Sequence, residues 1–471
     1  MLPAMYRLLS ALLLPLLLGR LASAPGAELD DSVDALLATV PSGGVAAVAM
    51  AQLDARQWLI QRNADRPLSL ASTTKLVISA AALIGLGPEY RFHTRLLGLG
   101  PLSADGVLPG LGVIGGGSPC FDEHFAENRD PDNVFRGFAA ELKRQGVRRI
   151  SGDLVIDARL FSGPIRPDTW PADQANLQRW FSAPCAAFAW NDDCIEVRIV
   201  PGAIGQPCTI ETRPRSPRIH ISNQTRSLAS GAGKNAISRA LDGNTVVVSG
   251  TCGRTTAWFP LAIASDPDLL IGDHLKAIIE ESGIPFSGSV RLGAVAADAG
   301  PMLVELNQPL VPAIDVMNQR SHNFYAEQLL RLLGVARAKD GSITAGRDAV
   351  VAVLKERFGD LGPLTLLDGC GLSYGNEASA GFLVNLLDAM NRSELGPIYR
   401  ASLKDRNAVG VNAMVKTGTH NESRALAGYI DGANNRHFAF AILLNRSKSS
   451  GISWGDKLRE QLFQALAAAA R

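Results

Sequence analysis

The chain has 471 residues, of which 46% are hydrophobic and 19% are charged, and its formal net charge is +1. This length suits about three domains, and the composition is typical of a globular protein with sizeable cores. Lysine plus arginine (46) nearly balances aspartate plus glutamate (45), so the chain lacks the basic surplus of most nucleic-acid binders. The composition therefore does not favour nucleic acid as a partner.

The first 24 residues have the pattern of a secretory signal peptide. Arg7 supplies a positive charge, residues 8–18 are mostly apolar, and residues 22–24 form an A-x-A-like cleavage site. A helix that spans a bilayer needs about 20 apolar residues, so an uncleaved membrane anchor is the less favoured alternative. We therefore expect export and a periplasmic location.

The cysteines limit which disulfides and metal sites the chain is able to form. In an exported protein they are able to form disulfides, and four of the six lie in one stretch where one or two bridges would fit. Six cysteines allow fifteen full pairings, and the sequence favours none of them. No group of cysteines or histidines has zinc-like spacing, so we expect no metal and no organic cofactor. The cysteines are Cys120, Cys185, Cys194, Cys208, Cys252 and Cys370.

Two elements are predicted near the start of the mature chain. Residues 45–53 and 58–62 are strand-like runs separated by a tight turn, which indicates a β-hairpin. An apolar, alanine-rich run then follows Ser72 and ends at Gly85. This pattern predicts a helix with Ser72 at or near its N-terminus.

The middle of the chain, from about residue 95 to residue 300, has a different composition. It is rich in glycine, proline and short β-like runs, such as residues 153–157, 195–200 and 245–249. This pattern suggests one or two mostly β modules inserted between the halves of an outer domain.

The C-terminal part predicts an antiparallel meander followed by a helix. The strand-like runs are residues 414–419, 425–430 and 438–444. The final helix, residues 454–469, has an apolar face formed by Leu458, Leu462, Phe463 and Leu466. We favour packing of this face on the sheet over attachment to a membrane surface, because the polar face is not strongly basic.

Three short motifs carry most of the chemical information. S-x-x-K occupies residues 72–75, S-x-N occupies residues 321–323, and K-T-G-T occupies residues 416–419. Each motif alone has an ordinary explanation as a helix cap or a strand end. Their occurrence together, in this order, is typical of β-lactamases and penicillin-binding proteins.

The first motif suits nucleophilic catalysis. Serine is a poor nucleophile until a base takes its proton. In a helix, Ser72 and Lys75 are neighbours on one face, so a neutral Lys75 would reach the Ser72 hydroxyl. Lysine normally titrates near 10.4, and we expect burial and the positive charge of Lys416 to lower the pKa of Lys75.

The other two motifs suit support and substrate binding. Ser321 is predicted to open a second element and to relay a proton between Lys75 and the leaving amine. Asn323 is predicted to hold a substrate amide, and Lys416 with its neighbouring threonine hydroxyls a terminal carboxylate. The adjoining strand would let an extended peptide add to the sheet. His420 is expected to be an exposed loop residue.

Four further segments extend the pattern. Residues 367–373 read D-G-x-G-L-S after a leucine, residues 317–320 precede the S-x-N motif, residues 425–429 follow the K-T-G strand, and residues 152–157 read G-D-L-V-I-D. With these segments the chain resembles the D-alanyl-D-alanine carboxypeptidase/endopeptidase family of class C low-molecular-mass penicillin-binding proteins (the DacB type). The separation of 249 positions between Ser72 and Ser321 (321 minus 72) also resembles this family.

The resemblance implies a multidomain α+β fold. Its catalytic domain would be β-lactamase/transpeptidase-like, an antiparallel sheet flanked by helices, with two inserted β-rich domains. The implied ranges are residues 28–95 and 302–471 for the catalytic domain, residues 96–178 and 265–301 for inserted domain II, and residues 179–264 for inserted domain III.

The resemblance also implies roles for individual residues. Ser72 would be the acylated nucleophile, Lys75 its base, and Ser321 a further catalytic residue. Asp157 would recognise the free amino group of the stem peptide's diamino acid. The oxyanion would be bound by the backbone N–H groups of Ser72 and Thr419. The substrate would otherwise be held by Asn323, Lys416, Thr417, Gly418 and Thr419.

The implied function is a periplasmic serine-type D-Ala-D-Ala carboxypeptidase. It would act on peptidoglycan stem peptides, with endopeptidase action as an addition and β-lactam antibiotics as acylating inhibitors. One alternative is a serine β-lactamase, which would need a group that speeds deacylation, and Glu422 stays open for this role. The other alternative is a non-catalytic peptidoglycan-binding protein that has kept the fold.

Overall fold

The computed structural model describes residues 25–446 and 451–471. The predicted signal peptide lies outside these residues. The strands, in chain order, are β1 (Gly44–Gln52), β2 (Gln57–Arg62), β3 (Leu68–Ser69), β4 (Arg91–Gly98), β5 (Val107–Leu108), β6 (Leu111–Ile114), β7 (Arg149–Ile150), β8 (Leu154–Asp157), β9 (Cys194–Val200), β10 (Thr209–Arg213), β11 (His220–Ser227), β12 (Asn235–Arg239), β13 (Thr245–Cys252), β14 (Phe259–Ala262), β15 (Val290–Leu292), β16 (Met302–Pro309), β17 (Leu364–Thr365), β18 (Glu377–Ala378), β19 (Lys404–Ala408), β20 (Val411–His420), β21 (Ser423–Asp431) and β22 (His437–Arg446).

Helices occupy both ends of the described chain and much of its second half. They are α1 (Pro25–Leu37), α2 (Thr74–Gly85), α3 (Asp132–Arg144), α4 (Gln174–Leu177), α5 (Pro267–Glu281), α6 (Leu310–Arg320), α7 (Asn323–Ala338), α8 (Ile343–Phe358), α9 (Ala380–Arg392), α10 (Gly396–Ala401) and α11 (Ser453–Ala469). Within the described residues, no helix is long and apolar enough to cross a membrane.

A six-stranded antiparallel sheet in the order β19-β20-β21-β22-β1-β2 forms the centre of the fold. Successive side chains of a strand point to opposite faces, so each strand contributes to two cores. In β1, Ala47 and Ala49 pack in the core that contains α2, α7 and α9. Val48 and Met50 pack in the other core, which contains α1 and α11.

The predicted elements of this outer part are confirmed. The hairpin forms from β1 and β2, the meander forms from β20, β21 and β22, and α2 starts two residues after Ser72. The apolar face of α11 packs on the sheet, and the side chains that fill this contact are Leu458, Leu462, Phe463 and Leu466. Burial of such a side chain stabilises the fold by roughly 1.5–3 kcal/mol.

The middle of the chain forms separate sheets, in agreement with its β-rich character. A five-stranded sheet in the order β15-β8-β6-β4-β16 packs against α3 and α5. Two three-stranded sheets, β10-β9-β14 and β11-β13-β12, share another apolar cluster. The five-stranded sheet includes β16, which the predicted ranges assign to the catalytic domain. The domain boundaries themselves stay a prediction.

All six cysteines are buried and none of them is in a disulfide. The bridges considered for the stretch from Cys185 to Cys252 are therefore not formed. Cys208 and Cys252 instead pack as buried apolar side chains in the cluster shared by the two three-stranded sheets.

Candidate active site

Ser72 lies in a tight turn that presents its hydroxyl to solvent. Ala71–Thr73 form a 3₁₀ turn directly before α2. Ser72 is partly exposed, whereas Ala71, Thr73 and Lys75 are buried. Ala71 has φ +45°, a left-handed value that L residues adopt only when the surroundings hold them there. The fold therefore holds a strained turn at Ser72.

Two glycines let other segments approach this turn. A Cβ on Gly371 would lie 1.9 Å from the carbonyl oxygen of Ala71, and a Cβ on Gly418 would lie 2.7 Å from that of Leu70. Distances below 3.0 Å do not occur for real Cβ atoms, so only glycine fits at either position. The D-G-x-G-L-S loop and β20 thus both touch the Ser72 turn.

Lys75 is fully buried and its amine contacts three oxygen atoms. Nζ lies 3.0 Å from Oγ of Ser72, 2.8 Å from Oδ1 of Asn323 and 2.6 Å from the carbonyl oxygen of Cys370. Nδ2 of Asn323 donates to the carbonyl oxygen of Phe181 at 2.9 Å, which fixes the orientation of the amide. The prediction that Ser72 and Lys75 are neighbours is confirmed.

This arrangement suits a general base. A neutral amine has two N–H donors and one lone pair, and carbonyl oxygens only accept. When Lys75 donates to Asn323 and Cys370, its lone pair is left for the hydroxyl proton of Ser72. The geometry therefore directs the proton of Ser72 toward Lys75.

Burial lowers the pKa of Lys75, because desolvation disfavours the ammonium form. The nearby Cys370, Asp368 and Glu327 act against this and raise it. Lys416 was expected to be a cation that lowers the pKa of Lys75, and the two amines do interact electrostatically. Burial lowers the pKa of Lys416 well below its usual value, and Lys75 lowers it further. Because the repulsion between two ammonium groups is mutual, Lys75 and Lys416 each disfavour the protonated form of the other.

Ser321 and Lys416 form a second contact pair. Nζ of Lys416 donates to Oγ of Ser321 at 2.7 Å and to the carbonyl oxygen of Thr417 at 2.9 Å. Ser321 does not open a helix as predicted, because it ends α6 in a left-handed conformation with φ +59°. Asn323 is instead the first residue of α7. This junction brings Ser321 to Lys416 and Asn323 to Lys75.

The K-T-G-T segment lies at an open edge of the six-stranded sheet. β19 pairs with β20 only as far as Val415, so residues 416–420 pair on the β21 side alone. Thr417 and Thr419 are exposed, whereas Gly418 is buried. Arg459 of α11 lies beside them, with Nη1 3.3 Å from Oγ1 of Thr419. This arginine could not be predicted from the sequence as a site residue, because it is part of the final helix.

Two buried acids shape the loop that supplies the Cys370 carbonyl. Asp368 accepts from the backbone N–H groups of Gly371 at 2.7 Å and Ser373 at 2.6 Å. Glu327 accepts from those of Gly369 and Cys370, both at 2.8 Å. The motif around Asp368 was visible in the sequence. Glu327 was missed, although an acid among the apolar residues of a helix is a usable signal.

Replacing Glu327 by glutamine should make the stability of the protein less dependent on pH. Burial, with a smaller contribution from Asp368, raises the pKa of Glu327 to about 8. The folded state then binds one proton more than the unfolded state between about pH 4.5 and pH 8, so stability falls as pH rises through this window.

Glutamine keeps one acceptor for the loop and cannot ionise, so the melting temperature of Glu327→Gln should fall less between pH 5 and pH 8 than that of the wild type. Calorimetry on both proteins, with the exposed Glu356→Gln as control, measures this. Equal pH dependence in all three proteins would contradict a buried, neutral Glu327.

His420 is not the exposed loop residue that was expected. It ends β20, its ring lies 4.6 Å from that of Tyr374, and Nε2 is 2.9 Å from Oγ of Ser69. Nδ1 accepts from the backbone N–H of Glu422, so Nε2 carries the proton. Burial and Arg424 lower the pKa of His420 to about 4, so its ring is neutral at pH 7.

Asp157 lies at the end of β8 with its carboxylate already bonded. It accepts from the Arg159 guanidinium at 2.9 and 2.7 Å and from the backbone N–H of Val295 at 3.0 Å. The side chain of Arg159 is mostly exposed, whereas that of Asp157 is buried. An amino group would therefore have to replace the guanidinium in order to reach Asp157.

Comparisons with known proteins found a matching family model and several relatives. The sequence model of the D-Ala-D-Ala carboxypeptidase 3 (S13) family matches residues 29–464. The chain is 30% identical to the D-alanyl-D-alanine carboxypeptidase of Actinomadura sp. (strain R39), over 90% of this chain and 83% of that protein. It is 26% identical to D-alanyl-D-alanine carboxypeptidase DacB of Haemophilus influenzae, over 90% of this chain and 89% of that protein.

The fold is also that of a solved structure. The crystal structure of penicillin binding protein 4 (dacB) from Haemophilus influenzae superposes with a TM-score of 0.76 at 23% identity, covering 92% of this chain and 99% of that chain. The multidomain α+β prediction with a transpeptidase-like domain is confirmed by this match.

Proposed function

The chain belongs to the D-Ala-D-Ala carboxypeptidase 3 (S13) family, and from this membership we propose that Ser72 performs the serine-type D-Ala-D-Ala carboxypeptidase reaction on peptidoglycan stem peptides. The observation that carries the assignment is the contact between the buried amine of Lys75 and the hydroxyl of Ser72. This contact joins the only partly exposed side chain of the turn, at residues 71–75, to a base whose pKa is lowered by burial.

The reaction begins with attack of Ser72 Oγ on the carbonyl carbon of the penultimate D-alanine. The hydroxyl proton passes to the lone pair of Lys75 as the C–O bond forms. The first N–H groups of a helical turn have no intrahelical acceptor, so the Ser72 N–H is suited to bind the oxyanion together with that of Thr419. Collapse of the tetrahedral species breaks the peptide bond and leaves an acyl ester on Ser72.

The leaving D-alanine needs a proton on its amine. We assign this delivery to Ser321, whose hydroxyl accepts from Lys416. Ser321 passes its hydroxyl proton to the amine and takes up the proton that Lys75 received from Ser72, so Lys75 is neutral again. Water then attacks the ester with Lys75 again as base. This second step releases the shortened peptide and restores the Ser72 hydroxyl.

The terminal carboxylate of the substrate is assigned to the exposed end of β20. The hydroxyls of Thr417 and Thr419 are donors there, and Arg459 adds a positive charge beside Thr419. A bound carboxylate would also favour the protonated form of Lys416. The unpaired edge at residues 416–420 is available for an extended stem peptide, which suits endopeptidase action as well.

Penicillins should acylate the same serine, and the acyl-enzyme should persist. A β-lactamase needs a group that activates the deacylating water. Among the described residues, the atoms bonded to Lys75 besides Ser72 are an amide oxygen and a backbone carbonyl oxygen, not a carboxylate. Glu422 faces Arg446, with 3.8 Å between Oε1 and Nη2. These contacts support the peptidase over the β-lactamase.

Two further assignments remain part of the proposal. Recognition of a diamino acid by Asp157 requires Arg159 to move aside, and its exposed side chain has room for this. The periplasmic location rests on the signal-like pattern of residues 1–24.

Release of D-alanine from a synthetic stem pentapeptide tests the activity. The purified protein should release one D-alanine from a peptide that ends in D-Ala-D-Ala. It should be inactive on the same peptide with a C-terminal amide, which removes the carboxylate assigned to the β20 edge. Equal rates on the acid and the amide would contradict this binding mode, and no release from either would contradict the carboxypeptidase assignment.

A further inference from the structure

A cluster of metal-ligating side chains lies beside the active site and has no part in the acyl-transfer chemistry. Asp122, His124 and His322 each offer one ligand atom, and these atoms lie within 4.8 Å of one another. Asp122 and His322 are buried, and His124 is half-buried. Because His322 stands between Ser321 and Asn323, the cluster touches the segment that holds two active-site side chains.

The two ring nitrogens of His322 have different surroundings. Nε2 lies 3.1 Å from Oδ2 of Asp192. Nδ1 is buried and has no hydrogen-bond partner among the described residues. A buried ring nitrogen without a partner is costly, so it points to a ligand at this position.

The pairing of His322 with Asp192 is the usual arrangement around a metal-bound histidine. Such a histidine donates its second N–H to a carboxylate, which fixes the tautomer and makes the free nitrogen a better ligand. Asp192 has φ +57°, between two neighbours that are also left-handed. This strained loop holds its carboxylate against His322.

We propose that Asp122, His124 and Nδ1 of His322 bind one zinc ion, with Asp192 orienting His322. Two imidazoles and a carboxylate are ligands that zinc prefers, at distances of about 2.0–2.2 Å. Tetrahedral geometry then places ligand atoms about 3.3 Å apart, so small rotations of the side chains would close the site. Tyr325 donates to Oδ2 of Asp122 at 2.5 Å and the backbone N–H of His124 donates to Oδ1 at 2.8 Å, so the ion would bind a remaining lone pair of this carboxylate.

The site has an entrance and an open coordination position. A cavity of about 420 Å³ is lined by His124, His322, Asp192 and Trp180, among others. The cavity admits the ion and leaves room for a water or a substrate group as fourth ligand. The ion would tie residues 122–124 to the junction of α6 and α7, and so fix Ser321 and Asn323 in place.

Spacing along the chain could not reveal this site. His124 and His322 are 198 positions apart (322 minus 124), and the fold alone brings them together. The sequence-based expectation of no metal rested on local spacing only.

Titration of the full-length mature protein with Co²⁺, which replaces Zn²⁺ and absorbs visible light, tests the proposal. The wild type should bind one equivalent with the intense bands of tetrahedral cobalt, and Zn²⁺ should displace it. His124→Asn should abolish these bands, and Asp192→Asn should weaken binding by about 10- to 100-fold. His220→Asn, at an exposed histidine of β11, should match the wild type.

Absence of tetrahedral bands in the wild type would overturn the proposal, and so would bands that persist in His124→Asn. Circular dichroism verifies that each variant folds. If His124→Asn does not fold, the bands and stoichiometry of the wild type together with the response of Asp192→Asn decide the question. None of these readouts depends on peptidase activity.

Discussion

Replacing Ser72 by alanine should abolish D-alanine release, with kcat/KM lowered by roughly 10⁶-fold, the scale measured when a serine peptidase loses its nucleophile. The hydroxyl is the attacking atom, and none of the contacts of Lys75 offers another nucleophile, because the remaining two are carbonyl-type oxygens. The fold should be retained, since Ser72 is partly exposed and alanine is smaller.

The assay is release of D-alanine from the stem pentapeptide, with Ser230→Ala as the control at an exposed serine. The control should keep the wild-type rate. A Ser72→Ala protein that retains more than a small fraction of wild-type activity would require a different nucleophile.

Replacing Lys75 by methionine should lower kcat/KM by about 10²- to 10⁴-fold, the usual contribution of a general base. Methionine keeps an apolar stem of similar length and removes the lone pair that faces Ser72. It also leaves Asn323 Oδ1 and the Cys370 carbonyl without this donor, so a loss of stability of about 1–3 kcal/mol should accompany the loss of rate.

The pH profile separates the two effects. In the wild type the rate of acylation should rise with pH as Lys75 loses its proton, with a midpoint below 10.5 because burial lowers the pKa of this amine. In Lys75→Met the acylation rate should no longer rise with pH in this way, whereas in the control Lys457→Met, at an exposed lysine, it should rise as in the wild type. If the acylation rate of Lys75→Met rises with pH as in the wild type, another group titrates and acts as the base.

The two buried lysines of the active site, Lys75 and Lys416, have different electrostatic surroundings. Both lose solvation, but Lys75 has Asp368 and Glu327 nearby, whereas the lowering influences on Lys416 include Lys75 itself. Burial and the nearby Lys75 therefore both lower the pKa of Lys416. Arrival of a substrate carboxylate would reverse this, which links substrate binding to the charge of the site.

Local sequence patterns predicted the parts of the fold that local forces determine. Two strand-like runs around a tight turn predicted β1 and β2, and the helical spacing of apolar residues predicted the buried face of α11. The three motifs predicted Ser72 and Lys75 as site residues. In S-x-x-K at the start of a helix, the serine and the lysine are one turn apart, so their side chains lie next to each other.

The contacts that depend on the tertiary fold could not be predicted from the sequence. The carbonyl of Cys370 reaches Lys75 from 295 positions away, and a backbone atom leaves no mark in composition. His420 looked like a loop residue, yet the pairing of β20 with β21 continues to it and Tyr374 covers its ring.

The central claim is that Ser72 is acylated with Lys75 as its base. Incubation of the wild-type protein with a penicillin, followed by intact mass over time and peptide mapping, tests it most directly. We expect one penicilloyl group per chain, lasting through the experiment and located on the peptide that contains Ser72. An adduct on another residue, or no adduct at all, would contradict the account, and an adduct that clears within seconds would indicate a β-lactamase instead.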